Sequence, residues 1–137
     1  MSERQPDAFR QRYGRWALIA GSAEGMGNAY AERCAREGLD LVLLDRDAAG
    51  LKAQAKALQA AHGIEVRAIR CDLADTANVE KILDGLETLE IGMLVFDAAA
   101  ADSGPWLEVP LARKKMVVSV NVLTPRTIVD RLSRKMA

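Results

Sequence analysis

Metal-ligating residues are scarce in this sequence. Its 137 residues hold one histidine, His62, and two cysteines, Cys34 and Cys71. None of the three has metal-ligand spacing, which argues against a protein-built zinc site and makes both thiols small core residues. An excess of either charge is also missing, since Lys plus Arg and Asp plus Glu number 19 each. That balance excludes the basic footprint of a nucleic-acid binder and a membrane-surface patch. No apolar run approaches membrane-spanning length, and Ser2-Glu3-Arg4-Gln5-Pro6-Asp7 carries no apolar signal core. The cytoplasm is the expected location, with no membrane or nucleic-acid partner. Low-complexity tracts, linkers and sequence repeats are absent too.

What is present is an ordinary globular composition, 50% apolar and 28% charged. A chain of this length is one domain or part of one, and can bury roughly two thirds of its unfolded surface. The informative stretch is Ala20-Gly21-Ser22-Ala23-Glu24-Gly25-Met26-Gly27. It follows the apolar run Trp16-Ala17-Leu18-Ile19 and opens a helical pattern over Asn28 to Glu37. Glycines between a strand and a helix let a phosphate approach the backbone, and the helix start offers unpaired N–H groups and partial positive charge. Glycines also end strands for purely structural reasons, so the turn alone decides little.

The rest of the chain repeats the strand–helix alternation. Residues 1–13 are polar and form an N-terminal arm or short helix. Trp16 to Ala20 is a strand buried on both faces. Met26, Tyr30 and Cys34 stack at four-residue spacing on the first helix, which Gly38 ends. Leu39 to Leu44 is a second strand, finishing at Asp45. Asp47 caps a helix with Leu51, Ala55 and Leu58 inward, closed by Gly63. Ile64 to Cys71 alternates apolar and charged residues, as a strand near an edge does. Asp75 or Thr76 starts a helix carrying Val79, Ile82, Leu83, Leu86 and Leu89. Met93 to Phe96 is a fourth strand. A long helix runs from about Leu111, with Met116, Val120, Leu123, Ile128, Leu132 and Met136 apolar and a bend at Pro125. Four βα units joined by short connections predict an α/β fold: a Rossmann-like, doubly wound parallel sheet in three layers, truncated after about four strands.

Ligands of such sheets bind beyond the carboxyl ends of the strands. Four features converge there: the glycine turn, Asp45, Asp72 and Asp97-Ala98-Ala99. Asp45 lies about 20 residues beyond the turn, where a carboxylate accepts from an adenosine ribose; the alternative is a loop residue paired with Arg46. Asp72 is equally open to reading as an ordinary turn residue.

On these residues the chain resembles the N-terminal half of a short-chain dehydrogenase/reductase, from about Gly14 onward. The family's T-G-x-x-x-G-x-G appears as Ala20-Gly21 through Gly25-Met26-Gly27, with Ala for Thr. The selector at the end of strand two falls on Asp45-Arg46, and the adenine-contacting Asp on Asp72-Leu73. Asn-Asn-Ala-Gly falls on Phe96-Asp97-Ala98-Ala99, and the mid-helix Asn on Asn121, within Val120-Asn121-Val122. The resemblance implies a nicotinamide dinucleotide, held by Gly21, Glu24, Gly25, Met26, Gly27, Asp45, Arg46, Asp72, Leu73, Asp97, Ala98 and Ala99. It favours NAD over NADP, since Asp45 would bind the ribose hydroxyls and repel a 2′-phosphate. NADP-preferring relatives often carry Arg where Glu24 stands, whereas Arg46 argues the other way.

Two departures matter. Family chemistry rests on a Ser and a Tyr-x-x-x-Lys, yet the only tyrosines are Tyr13 and Tyr30, neither with Lys four residues on. Asn121 is thus one member of an incomplete tetrad, or a polar residue that bends its helix. Asp97 replaces an amide and accepts hydrogen bonds without donating. By analogy the sheet order is 3-2-1-4, leaving Met93-Leu94-Val95-Phe96 an uncharged open edge beside a helix with Val117, Val118, Val122 and Val129 outside its main stripe. Self-association or a complementing chain is expected. Three readings follow: part of an NAD-dependent dehydrogenase acting on an alcohol or carbonyl and not competent alone, a non-catalytic dinucleotide-binding module, or a dimerising remnant.

Overall fold

Continuous apolar runs become the central strands and the alternating run becomes an edge. The computed structural model describes residues 6–137, so residues 1–5 of the expected arm lie outside the described residues. The elements are α1 (Pro6–Tyr13), β1 (Trp16–Ala20), α2 (Gly25–Arg36), β2 (Asp40–Asp45), α3 (Ala48–His62), β3 (Val66–Arg70), α4 (Thr76–Gly85) and β4 (Ile91–Phe96). After a loop come α5 (Leu111–Val118), a π-helical turn (Ser119–Leu123) and α6 (Thr124–Met136). The four strands are parallel, as the βα repeat predicts, in the order β3-β2-β1-β4 that the family resemblance implies.

Strand alternation splits the core into two layers. Ala17 and Ile19 of β1 and Leu41 and Leu43 of β2 meet Ala31, Cys34 and Ala35 of α2 and Leu51 and Leu58 of α3. Leu18, Val42 and Leu44 point the other way, onto Val79 and Leu83 of α4 and Ile128 and Leu132 of α6. Burying each large aliphatic side chain contributes about 1.5–3 kcal/mol, so the paired β1–β2 centre is the anchor of the fold. Phe9 of α1 packs on the first layer.

Helix starts are built from short acids. Asp47 accepts from the Gly50 N–H and Asp75 from the Asn78 N–H, each at 3.0 Å. Each cap stabilises its helix by about 1 kcal/mol.

Two expectations need correction. Met26 and Tyr30 do not face the core; they are 64% and 46% exposed. The inward residues of α2 are Gly27, Ala31, Cys34 and Ala35, because four-residue spacing overshoots the 3.6-residue turn and carries Tyr30, then Met26, off the Cys34 face. The bend expected at Pro125 appears upstream, as the π turn over Ser119–Leu123. A proline crowds the carbonyl four residues before it, here that of Asn121, so the widened turn falls there. Leu123 and Met136 are exposed, while Thr124 is fully buried.

Candidate functional site

The glycine turn, the tips of β2, β3 and β4, and α5 with the π turn enclose a cleft of about 730 Å³. It lies at the carboxyl end of the sheet. Its lining includes Gly21, Glu24, Asp45, Arg46, Asp72, Leu73, Asp97, Ala98 and Ala99. Sequence reasoning named all nine. It missed Ala23, Asp47, Cys71, Ala100, Ala101, Arg113, Met116 and Val120. Of these, Asp47 and Cys71 flank predicted site residues, whereas Arg113 arrives from a helix that no spacing rule connects to the turn.

The turn is held by sterics and by hydrogen bonds from distant parts of the chain. A side chain at Gly27 would place Cβ 1.9 Å from the Gly21 carbonyl oxygen, so only glycine lets α2 start this close. Gly25 differs: its φ of +56° suits glycine, but a Cβ there would meet nothing within 4 Å. The space above Gly25 is open. Gln54 of α3 fastens the turn from behind, donating through Nε2 to the Ser22 carbonyl at 2.7 Å and to Asn28 Oδ1 at 2.8 Å. Ser22 Oγ is buried without a hydrogen-bond partner.

The start of α2 is capped from across the sheet. Glu24, at the N-cap position, makes no side-chain cap. Asp97, following β4, supplies Oδ2 to the Gly27 N–H at 2.8 Å, while its own N–H donates to the Ala20 carbonyl at 2.9 Å. The N–H groups of Gly25 and Met26 have no acceptor among the described residues. Asp45 is similarly engaged: Oδ2 accepts from Ala23 N–H and Oδ1 from Asp47 N–H, both at 3.0 Å. It makes no ion pair with Arg46. Each of its oxygens retains a lone pair. Asp72 Oδ1 accepts from the Ala74 N–H at 2.9 Å, the local turn that the simpler reading anticipates. Its side chain nevertheless borders the cleft. The Leu73 carbonyl accepts from Thr124 Oγ1 at 2.6 Å, tying this tip to α6.

Asn121 does not line the cleft. Its amide clasps Ala100 in both directions, accepting from the Ala100 N–H at 2.9 Å and donating to the Ala100 carbonyl at 2.7 Å. It therefore positions the loop after β4. Met26 is not among the cleft's lining residues either; its side chain borders a separate groove with Phe9, Tyr30, Met93 and Phe96.

Five carboxylates (Glu24, Asp45, Asp47, Asp72 and Asp97) line the cleft against two guanidinium groups, Arg46 and Arg113. Arg113 is engaged by Asp102 at 3.3 Å and by the Ala101 carbonyl. Burial, then Asp72 and Asp75, push the Cys71 thiol up to about 11, away from the reactive thiolate. Among the described residues there is no group of three or more His, Cys, Asp or Glu side chains that could hold a metal. Among the described residues no helix is long and apolar enough to cross a membrane.

The family model for short chain dehydrogenases matches residues 15–137. The chain belongs to the short-chain dehydrogenase family. It is 30% identical over 116 residues to a 7beta-hydroxysteroid dehydrogenase of Clostridium sardiniense, covering 85% of this chain and 44% of that protein. It is 32% identical over 118 residues to the very-long-chain 3-oxoacyl-CoA reductase-A of Danio rerio, covering 85% and 37% respectively. A solved structure from work on 7beta-hydroxysteroid dehydrogenase stereoselectivity superposes with a TM-score of 0.88 at 27% identity, over 91% of this chain and 50% of that one. A short-chain dehydrogenase from Sphingobium yanoikuyae in complex with NADPH gives 0.76 at 32% identity, over 89% and 46%. The short-chain dehydrogenase chain thus spans less than half the length of these curated relatives. Members of the family bind NAD(P).

Proposed function

We propose that the cleft binds NAD through its adenosine diphosphate half, and that this chain is the nucleotide-binding part of an oxidoreductase acting on an alcohol or carbonyl. One observation carries the reading: the unpartnered Gly25 and Met26 N–H groups at the start of α2, with open space above Gly25. Amides so placed suit a diphosphate. The residues fit the group with two free amides, since the Gly27 and Ala23 N–H groups already serve Asp97 and Asp45.

Each residue then has a role. Gly21 and Gly27 shape the turn. Asp45 accepts from the adenosine ribose hydroxyls with its remaining lone pairs. Asp72 and Leu73 border the adenine, and Ala98 and Ala99 bound the far side. Glu24 and Asp45 oppose a 2′-phosphate, whose approach to about 5 Å of a carboxylate costs on the order of 1–3 kcal/mol after screening. Arg46 offsets part of that cost, and NAD remains the preferred dinucleotide. Bound NAD supplies the hydride acceptor. Proton transfer in this family needs a Ser and a Tyr-x-x-x-Lys, and the 137 residues hold no such Tyr.

A partner is also part of the proposal, whether a second copy or a complementing chain. Among the described residues β4 pairs with β1 alone, and Val118, Val122, Leu123 and Val129 are about half exposed nearby. Two reduced, buried thiols agree with a cytoplasmic setting.

Calorimetric titration of the 137-residue chain with NAD and ADP-ribose tests the site. Similar affinities for both support the reading, and no binding of either overturns it. Hydride transfer by the isolated chain is expected to be undetectable in a dehydrogenase assay, and turnover above background with contaminants excluded would contradict the assignment. Light scattering that finds a folded monomer across micromolar concentrations would remove the partner.

A further inference from the structure

The cap on α2 is the unusual feature of this cleft. Where the family carries a neutral amide, Asp97 places a carboxylate oxygen 2.8 Å from the Gly27 N–H. Gly27 is the third residue of α2, so the acid stands within one turn of the free Gly25 and Met26 amides. A helix start attracts anions through partial positive charge worth roughly half an elementary charge. A resident carboxylate cancels much of that attraction before any ligand arrives. The rest of the cleft does not restore it. Beyond Asp97, four carboxylates face two arginines, and Arg113 is paired with Asp102.

We propose that Asp97 is a specificity-determining residue: it caps α2 and at the same time holds down the cleft's affinity for phosphate-bearing ligands, selecting those of least negative charge. This deepens the nucleotide reading above and rests on it. The bond to Gly27 needs only an acceptor, which an amide or a hydroxyl also provides. Charge and cap are therefore separable. Asp97→Asn keeps an acceptor in the same place and removes the charge, while Asp97→Ser keeps a shorter one.

The experiment titrates the 137-residue chain, D97N and D97S with adenosine, ADP-ribose and NADP at low and at physiological salt. The expected result is ADP-ribose binding roughly tenfold tighter in D97N at low salt, a gap that narrows as salt rises, with adenosine affinity unchanged. The gain should be larger for NADP than for ADP-ribose, because NADP carries more negative charge. Should D97N lose its cooperative melting transition, D97S carries the same test in the same direction. Adenosine and ADP-ribose binding by the unaltered chain, with ADP-ribose affinity equal or weaker in both variants, overturns the role of Asp97 and leaves the nucleotide cleft standing. Failure of all three proteins to bind any probe overturns the cleft, and this proposal with it.

Discussion

The two halves of the cleft differ in burial more than in how their loops are held. On the β1–β2 side, strands are buried on both faces, and the turn is fixed by the close approach of Gly27 to the Gly21 carbonyl and by bonds from Gln54 to the Ser22 carbonyl and from Ala23 N–H to Asp45. On the β4–α6 side, five of six strand residues are only half buried, the helix widens into a π turn, and the loops are held by long-range side-chain bonds. Asn121 clasps Ala100, and Thr124 holds Leu73. The proposed nucleotide contacts at the glycine turn and Asp45 belong to the first side. The second exposes Val118, Val122, Leu123 and Val129, and among the described residues β4 pairs with β1 alone.

That contrast can be broken, beginning with the largest effect. Gly27→Ala should destabilise the chain by about 3 kcal/mol or more, because the new methyl meets backbone and not a flexible side chain. Urea denaturation reads this, and an unchanged midpoint would mean that α2 has room to retreat. On the other side, Thr124→Val removes the donor to the buried Leu73 carbonyl and should cost about 2 kcal/mol. Hydrogen exchange should show the loss concentrated in β4 and α6, with β1 and β2 amides protected longest; uniform acceleration would dissolve the comparison.

Gly25→Val sharpens it. Left-handed backbone at this position costs a β-branched residue about 1–2 kcal/mol, while the side chain fills the open space above the turn. ADP-ribose affinity should fall at least about tenfold, beyond what the stability loss explains. The smallest effect concerns pH. Hydrogen bonds from Lys135, then from Arg131, hold the Glu87 carboxyl below the usual carboxylate range. A carboxyl depressed in the folded state contributes stability above its unfolded pKa, and that contribution disappears as pH falls through the folded value. All partners are at the surface, so Glu87→Gln should remove only a slight acid-side slope in the melting temperature, and high salt should mimic it. An acid slope unchanged in Glu87→Gln would assign it elsewhere.

Much of this molecule was legible in its residues. Apolar runs and short acids marked the strands and two helix caps, the parallel sheet followed from the repeated βα pattern, and its order came from the family resemblance. Nine cleft residues were found because they follow strand ends. The contacts that complete the site escaped for a common reason: they join residues far apart in the chain. Nothing local announces that Gln54 reaches Ser22, that Arg113 borders the cleft, or that Asp97 rather than Glu24 caps α2. Met26 and Tyr30 were misplaced because a four-residue stack drifts off the face that the 3.6-residue helical period keeps. The π turn was displaced from Pro125 because a proline acts on the carbonyl one turn upstream.

The central claim concerns two amide groups. In ¹⁵N–¹H spectra of the 137-residue chain titrated with ADP-ribose, the Gly25 and Met26 amide resonances should shift first and furthest, followed by residues around Asp45, while the groove around Tyr30 and Met93 stays still. Shifts confined to that groove, or none at all at millimolar ligand, would contradict the account.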